Sequence, residues 1–99
     1  MTITTHEINL SLVQNWLINK IASLTGKNVA ELCINTPVAD YGLDSMHAVG
    51  LSGEIEDWLG VAIEPTIAWD YPTIDSMARH LVKTFSDSIK HHDMNQKVA

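Results

Sequence analysis

A serine stands where a glycine-containing loop meets the start of a helix, in the stretch Asp40-Tyr41-Gly42-Leu43-Asp44-Ser45-Met46. Its hydroxyl is expected to point outward, beside backbone N–H groups without intrahelical acceptors and at the positive end of the helix dipole. A phosphodiester attached there would be electrostatically favoured. Ser45 is thus a good acceptor of a phosphoryl-linked group, and a poor nucleophile by itself because no base is guaranteed. The plainer reading is an ordinary helix-capping serine. His47 follows two residues on, which projects it roughly across the helix axis from Ser45. Asp40 and Asp44 flank Gly42 at a spacing unlike that of a calcium loop. His91 and His92 are adjacent in a polar tail, a weak metal site at best. No metal ligand set is expected.

The elements that position this stretch follow from periodicity. Leu10, Val13, Leu17, Ile21 and Leu24 are spaced three, four, four and three apart, which puts them on one face of a helix flanked by Trp16 and Lys20. Gly26 is placed to stop that helix. Residues 27–43 read as a long ordered loop with a helical turn near 29–33. A second helix begins at Asp44 or Ser45 and runs to Leu59, stopped by Gly60. Its buried stripe is Ala48, Leu51, Ile55 and Leu59, with Val49 and Trp58 beside it. The opposite stripe is Met46, Gly50, Gly53 and Asp57. Two interior glycines each cost this helix roughly 1 kcal/mol relative to alanine, on the outward side where core packing gives no reason for them.

Pro65 to Trp69 suggests a short helix with proline near its start. Pro72 ends it, and Tyr71 closes the loop into the last helix. Thr73 is the expected N-cap of that helix, Asp75 suits its first turn, and Ile74, Met77, Ala78, Leu81 and Phe85 form its inner face. Trp58 and Trp69 read as core or rim packing. Residues 1–9 are a loose lead-in, and the polar tail after Ser88 is expected to fray. The sum is an all-α fold: a small four-helix bundle of three main helices and one short one, a single domain over 1–99 with its core at about 10–88.

Composition limits the function classes. The chain has 99 residues, 45% of them hydrophobic and 18% charged, with a formal net charge of -6. That is a globular composition but too short a chain for most folds with a deep catalytic pocket. The acidic surface repels phosphate backbones and anionic lipid and favours a basic partner. Cys33 is the single cysteine, so an internal disulfide is excluded; a half-buried thiol acting as a small hydrophobe is expected. No signal peptide or membrane span is apparent, and the expected location is the cytoplasm.

Gly42-Leu43-Asp44-Ser45-Met46 resembles the phosphopantetheine attachment motif of acyl carrier proteins, with Met46 where leucine is usual. The resemblance continues through Ile55-Glu56-Asp57-Trp58-Leu59-Gly60 and through Pro65-Thr66-Ile67-Ala68-Trp69-Asp70-Tyr71-Pro72-Thr73-Ile74, the last block being most similar to carrier domains of modular polyketide synthases. It covers about residues 10–85. The resemblance implies a four-helix bundle whose Ser45 is charged with 4'-phosphopantetheine from coenzyme A by a phosphopantetheinyl transferase. It implies no catalysis by the chain itself. Asp44 would assist the transferase, through that enzyme's metal, and Met46, Gly50, Gly53, Glu56 and Asp57 would form a docking surface along the second helix. Implied partners are an acyl-loading enzyme (an acyltransferase or an acyl-adenylate ligase), a ketosynthase, and other polyketide or fatty acid synthase enzymes, met by a monomer. Gly50 and Gly53 depart from related carriers, which often place larger or acidic side chains there.

Other classes compete unequally. A serine hydrolase or acyltransferase would need an oriented histidine, an oxyanion hole and a pocket, and Gly-x-Ser-x-Gly is missing. A helical adaptor that is never modified fits length, charge and pattern equally, and is opposed only by the intact Asp44-Ser45 pair. A peptidyl carrier of nonribosomal peptide synthesis shares fold and arm; such carriers more often have a second glycine, and a histidine or aspartate before the serine. Leu43 favours acyl cargo. Glu54 reads as a solvated face residue, whereas Glu56 and Asp57 stand between solvation and docking.

Overall fold

The computed structural model describes residues 8–98, with side chains through Ser88. Four helices follow in order: α1 (Leu10–Thr25), α2 (Ser45–Leu59), α3 (Ile67–Asp70) and α4 (Ile74–Val98). Two 3₁₀ turns, Val29–Glu31 and Val38–Tyr41, punctuate the loop between α1 and α2. The first is the expected turn; the second has no periodic signal in the sequence. Among the described residues there is no strand, only one isolated backbone bridge between Pro37 and Thr73.

Each helix is started and stopped by identifiable groups. Asn9 caps α1, its Oδ1 accepting the Leu12 N–H at 2.8 Å. Ile8 precedes the cap and packs half-buried against the core, so the last two residues of the expected lead-in belong to the packed structure. The rest of the expected lead-in, residues 1–7, lies outside the described residues. Gly26 and Gly60 end α1 and α2 at φ 73 and φ 71, a left-handed conformation that glycine adopts without Cβ strain. Thr73 and Ser76 form a reciprocal box at the start of α4: Ser76 N–H donates to Thr73 Oγ1 and Thr73 N–H to Ser76 Oγ, both at 3.1 Å. The helix runs on through the polar tail to Val98; once nucleated, a segment without glycine or proline adds residues at little cost.

The apolar stripes meet as expected. Val13, Leu17 and Ile21 of α1, Leu51 and Ile55 of α2, and Ile74, Met77 and Leu81 of α4 are completely buried. Burial of each such side chain contributes about 1.5–3 kcal/mol. α1 packs chiefly on α4. Leu10 and Leu24, at the ends of the α1 stripe, are only half-buried. Beside the α1–α2 seam, Trp16 stacks on Trp58 with ring centroids 4.4 Å apart, and Lys20 Nζ reaches Glu54 Oε1 at 2.6 Å. Glu54 is thereby tied into the seam rather than merely solvated.

Two local expectations are corrected. Val49 is exposed, because it falls on the outer edge of α2 rather than beside the core stripe. Cys33 is exposed rather than half-buried. Leu32 and Ile34 turn inward against the core on either side of it, and in an extended segment the intervening side chain faces the other way.

Candidate attachment site

Ser45 is the first residue of α2 and is exposed. Three neighbours hold it there. Gly42 turns the chain at φ 89 and donates its N–H to Ala39 O at 3.0 Å. Leu43 plugs into the core at 3% exposure. Asp44 caps α2, its Oδ1 accepting the His47 N–H at 2.8 Å, so one of the orphan N–H groups of the first turn is satisfied. With a buried anchor before it and a cap beside it, the backbone at Ser45 has little freedom, while its hydroxyl stays in solvent.

The loop leading to Ser45 is braced from far along the chain. Tyr41 Oη accepts the Cys33 N–H at 2.7 Å and lies 3.4 Å from the Cys33 carbonyl oxygen. Val38 N–H donates to Pro72 O at 2.8 Å, and Asp75 N–H to Ile34 O at 2.9 Å. Asp75 also accepts from Gln14 Nε2 at 3.0 Å and from Arg79 Nε at 2.9 Å, so its one side chain joins α1 to the start of α4. Sequence reasoning does not single out Tyr41, Pro72 or Gln14 as supports of this loop. Partners so far apart leave no periodic signal; the only hint is the run of turn-forming residues, Asn35, Pro37 and Gly42, needing anchorage.

The remaining candidate residues fall on the outer side of α2. Met46 is 81% exposed and Val49 54% exposed, and Gly50, Gly53, Glu56 and Asp57 are all exposed. Glu56 also braces its own surroundings, for its Oε1 accepts the Ile63 N–H at 3.1 Å and so ties the α2–α3 loop back to α2. Trp69 stands on the surface of α3 at 44% exposure, whereas Tyr71 is half-buried and stacks on His80.

General base chemistry at Ser45 finds no support in this arrangement. His47 Nδ1 is shielded from solvent, lies 3.2 Å from Asp44 Oδ1 and makes no hydrogen bond. Among the described residues no cluster of three or more metal-ligating side chains occurs, and no helix is long and apolar enough to cross a membrane. The Cys33 thiol is held below its ordinary range by hydrogen bonding to the Asn35 backbone and the Thr36 side chain. Attachment of a phosphate-linked group does fit: an exposed hydroxyl at the first position of a 15-residue helix has both room for the group and a favourable dipole.

Comparison with known proteins agrees with this geometry. Residues 15–81 match the model of the phosphopantetheine attachment site family. A phenolphthiocerol/phthiocerol polyketide synthase of Mycobacterium tuberculosis is 35% identical over 69 residues, 70% of this chain; the chain spans only 4% of that protein's length. A free-standing peptidyl carrier protein of Acinetobacter baumannii superposes with a TM-score of 0.73 at 31% identity, covering 76% of this chain and 94% of that one. The acyl carrier protein LipD of Actinoplanes friuliensis superposes with a TM-score of 0.67 at 35% identity, covering 84% and 91%. The match spans both the loop that presents Ser45 and the helices that brace it, and by it the chain belongs to the phosphopantetheine attachment site family, as a carrier of covalent 4'-phosphopantetheine rather than a catalyst, similar to the carrier domains of polyketide synthases.

Proposed function

We propose that this chain carries acyl or polyketide intermediates on a 4'-phosphopantetheine group attached at Ser45 and presents them to biosynthetic enzymes. The observation that supports the reading is the placement of Ser45: exposed, at the head of α2, capped by Asp44 and preceded by the buried anchor Leu43. In the charging step the Ser45 oxygen attacks a phosphorus of the coenzyme A pyrophosphate. A new P–O bond forms to Ser45, the pyrophosphate bridge breaks with release of adenosine 3',5'-bisphosphate, and the serine proton passes to a base of the transferase. When bound, the group supplies a terminal thiol for thioester chemistry. Ser45 holds the point of attachment still, and tethering raises the effective concentration of cargo at each enzyme.

Asp44 has two roles in this reading. It caps α2, and its 64%-exposed side chain is available to the metal of the phosphopantetheinyl transferase. Met46, Gly50, Gly53, Glu56 and Asp57 supply the surface on which partners dock: the transferase, an acyl-loading acyltransferase or acyl-adenylate ligase, and a ketosynthase or other synthase enzymes. The protein works in the cytoplasm as a monomer. The likeness to a peptidyl carrier protein favours a second reading, with an aminoacyl or peptidyl cargo on the same serine.

The test is intact mass after incubation with coenzyme A and a broad-specificity phosphopantetheinyl transferase. A gain of one phosphopantetheine, missing in Ser45→Ala, is expected. A folded chain that gains nothing from an active transferase would instead be an unmodified helical adaptor.

A further inference from the structure

One nitrogen near the attachment serine is not explained by packing. His47 is half-buried, and its Nδ1 is closed off from water with no hydrogen-bond partner. Shielded polar atoms are ordinarily paired, so an orphan calls for a reason. Facing it at 3.2 Å is Asp44 Oδ1. At that distance the pair falls short of a hydrogen bond in alignment rather than in reach.

A neutral imidazole carries its proton on one nitrogen and a lone pair on the other. With the lone pair on Nδ1, two electron-rich atoms would face each other away from water. With the proton there, the N–H dipole is drawn to the carboxylate. The neighbour thereby selects the Nδ1–H form. The same Asp44 oxygen also accepts the His47 backbone N–H at 2.8 Å. His47 thus holds Asp44 Oδ1 twice, once from its main chain and once from its ring. Three residues after a cap is the position from which a capping box reaches back; here the reach is to the cap's carboxylate. Among the described residues both contacts to Asp44 fall on Oδ1. With the side chain 64% exposed, Oδ2 is left to solvent.

Resting on the carrier reading of Ser45 and on the service of Asp44 to the transferase, we infer that His47 is a positioning residue for charging. Its Nδ1–H holds the Asp44 carboxylate in one orientation, with Oδ1 turned to α2 and Oδ2 presented to the transferase's metal beside Ser45. His47 touches none of the reacting atoms, in keeping with its place across the helix axis from Ser45. Its effect is to remove the freedom of an exposed side chain before the cation arrives. A carboxylate without that hold would give up the same freedom at each encounter, and bind the cation more weakly for it.

The experiment compares the full chain with its His47→Phe and His47→Asn variants, charged by a broad-specificity phosphopantetheinyl transferase over a range of Mg²⁺ concentrations. Phenylalanine keeps a ring without nitrogen, and asparagine keeps a donor near the position of Nδ1. The three residues have similar helix propensities and each retains the backbone N–H, so the melting temperature should hold. His47→Phe should lower kcat/KM roughly tenfold and raise several-fold the Mg²⁺ concentration that half-saturates charging. His47→Asn should recover most of both. In an Asp44→Ser background, His47→Phe should have no further effect, because its influence passes through the carboxylate. A rate or a Mg²⁺ requirement like the parent's in His47→Phe would overturn the inference. An equal loss in the Asp44→Ser background would also overturn it, assigning His47 to contact with the enzyme instead. Long-range proton–nitrogen correlation spectra of the parent chain read the tautomer with no enzyme present: Nδ1–H is expected, and Nε2–H would sink the inference whatever the variants do. The final mass after prolonged incubation tests the carrier reading separately, since every His47 variant retains Ser45 and should reach the same end point. A parent chain that gains nothing would fail that reading while leaving the tautomer result standing.

Discussion

Trp16 of α1 lies flat against Trp58 of α2, with ring centroids 4.4 Å apart and planes 1° from parallel. Lys20 extends this contact, placing Nζ 5.5 Å from the centre of the Trp16 ring and pairing with Glu54. The two rings join α1 to α2 at the edge of the core, whereas α1 packs mainly on α4. Replacing either tryptophan by alanine should destabilise the fold by about 2–3 kcal/mol, and a double-mutant cycle should return a coupling of about 0.5–1.5 kcal/mol. Urea denaturation followed by circular dichroism measures both. A coupling near zero would mean that each ring acts only through its own burial.

Asp44 joins stability to charging, and the two can be separated. Asp44→Ala removes the acceptor of the His47 N–H and should cost about 1 kcal/mol. Asp44→Ser restores a capping oxygen and should recover most of that stability. If the carboxylate serves the transferase, Asp44→Ser should still be charged at least tenfold more slowly than the parent chain. Denaturation curves and initial charging rates on the same samples settle the division of labour.

The start of α4 makes a comparable case without chemistry. Thr73 and Ser76 satisfy each other's N–H groups. Thr73→Val should cost about 1 kcal/mol, and Ser76→Ala a similar amount. The double variant should lose clearly less than the sum, since either change alone opens the box. Thermal melts of the three variants provide the readout.

Cys33 gives a pH signature. Hydrogen bonding from Asn35 and Thr36 favours the thiolate, so the thiol titrates below its ordinary value. The alkylation rate with iodoacetamide on the uncharged protein should rise with pH and reach half its maximum below the midpoint of a free cysteine. Thr36→Val removes one of the stabilising bonds and should move that midpoint upward. No movement would mean that the backbone groups of Asn35 and Thr36 hold the thiolate without the Thr36 side chain.

Much of the bundle is legible in the sequence because helices advertise themselves locally. Leu51, Ile55 and Leu59 recur at helical spacing, and Gly26 and Gly60 stop their helices through a conformation other residues resist. Asp44 and Thr73 are likewise recognisable as caps from type and position. The frame around Ser45 is less legible. The Ile34 carbonyl and the Asp75 N–H are backbone groups 41 positions apart, and every non-proline residue offers the same pair. Glu56 illustrates a different difficulty. Its placement on an outer face suggests docking, but a carboxylate long enough to reach back from seven residues before the Ile63 N–H also holds the chain together in a way that helical periodicity does not reveal. Cys33 departs from expectation for a third reason: inside a loop, the alternation of Leu32 and Ile34 decides exposure more than the thiol's own preference for burial.

The bracing of the attachment loop by Pro72 and Asp75 ties readiness to completeness. Residues 40–46 are contiguous, but the groups that steady the approach to them belong to α4 and to Pro72, two residues before it. Until that helix docks, the serine sits on an unsupported tether, and an enzyme reading its surroundings meets a different shape. Charging at Ser45 is thereby coupled to the docking of α4: a copy in which that helix has come away should be charged more slowly than one in which it is seated.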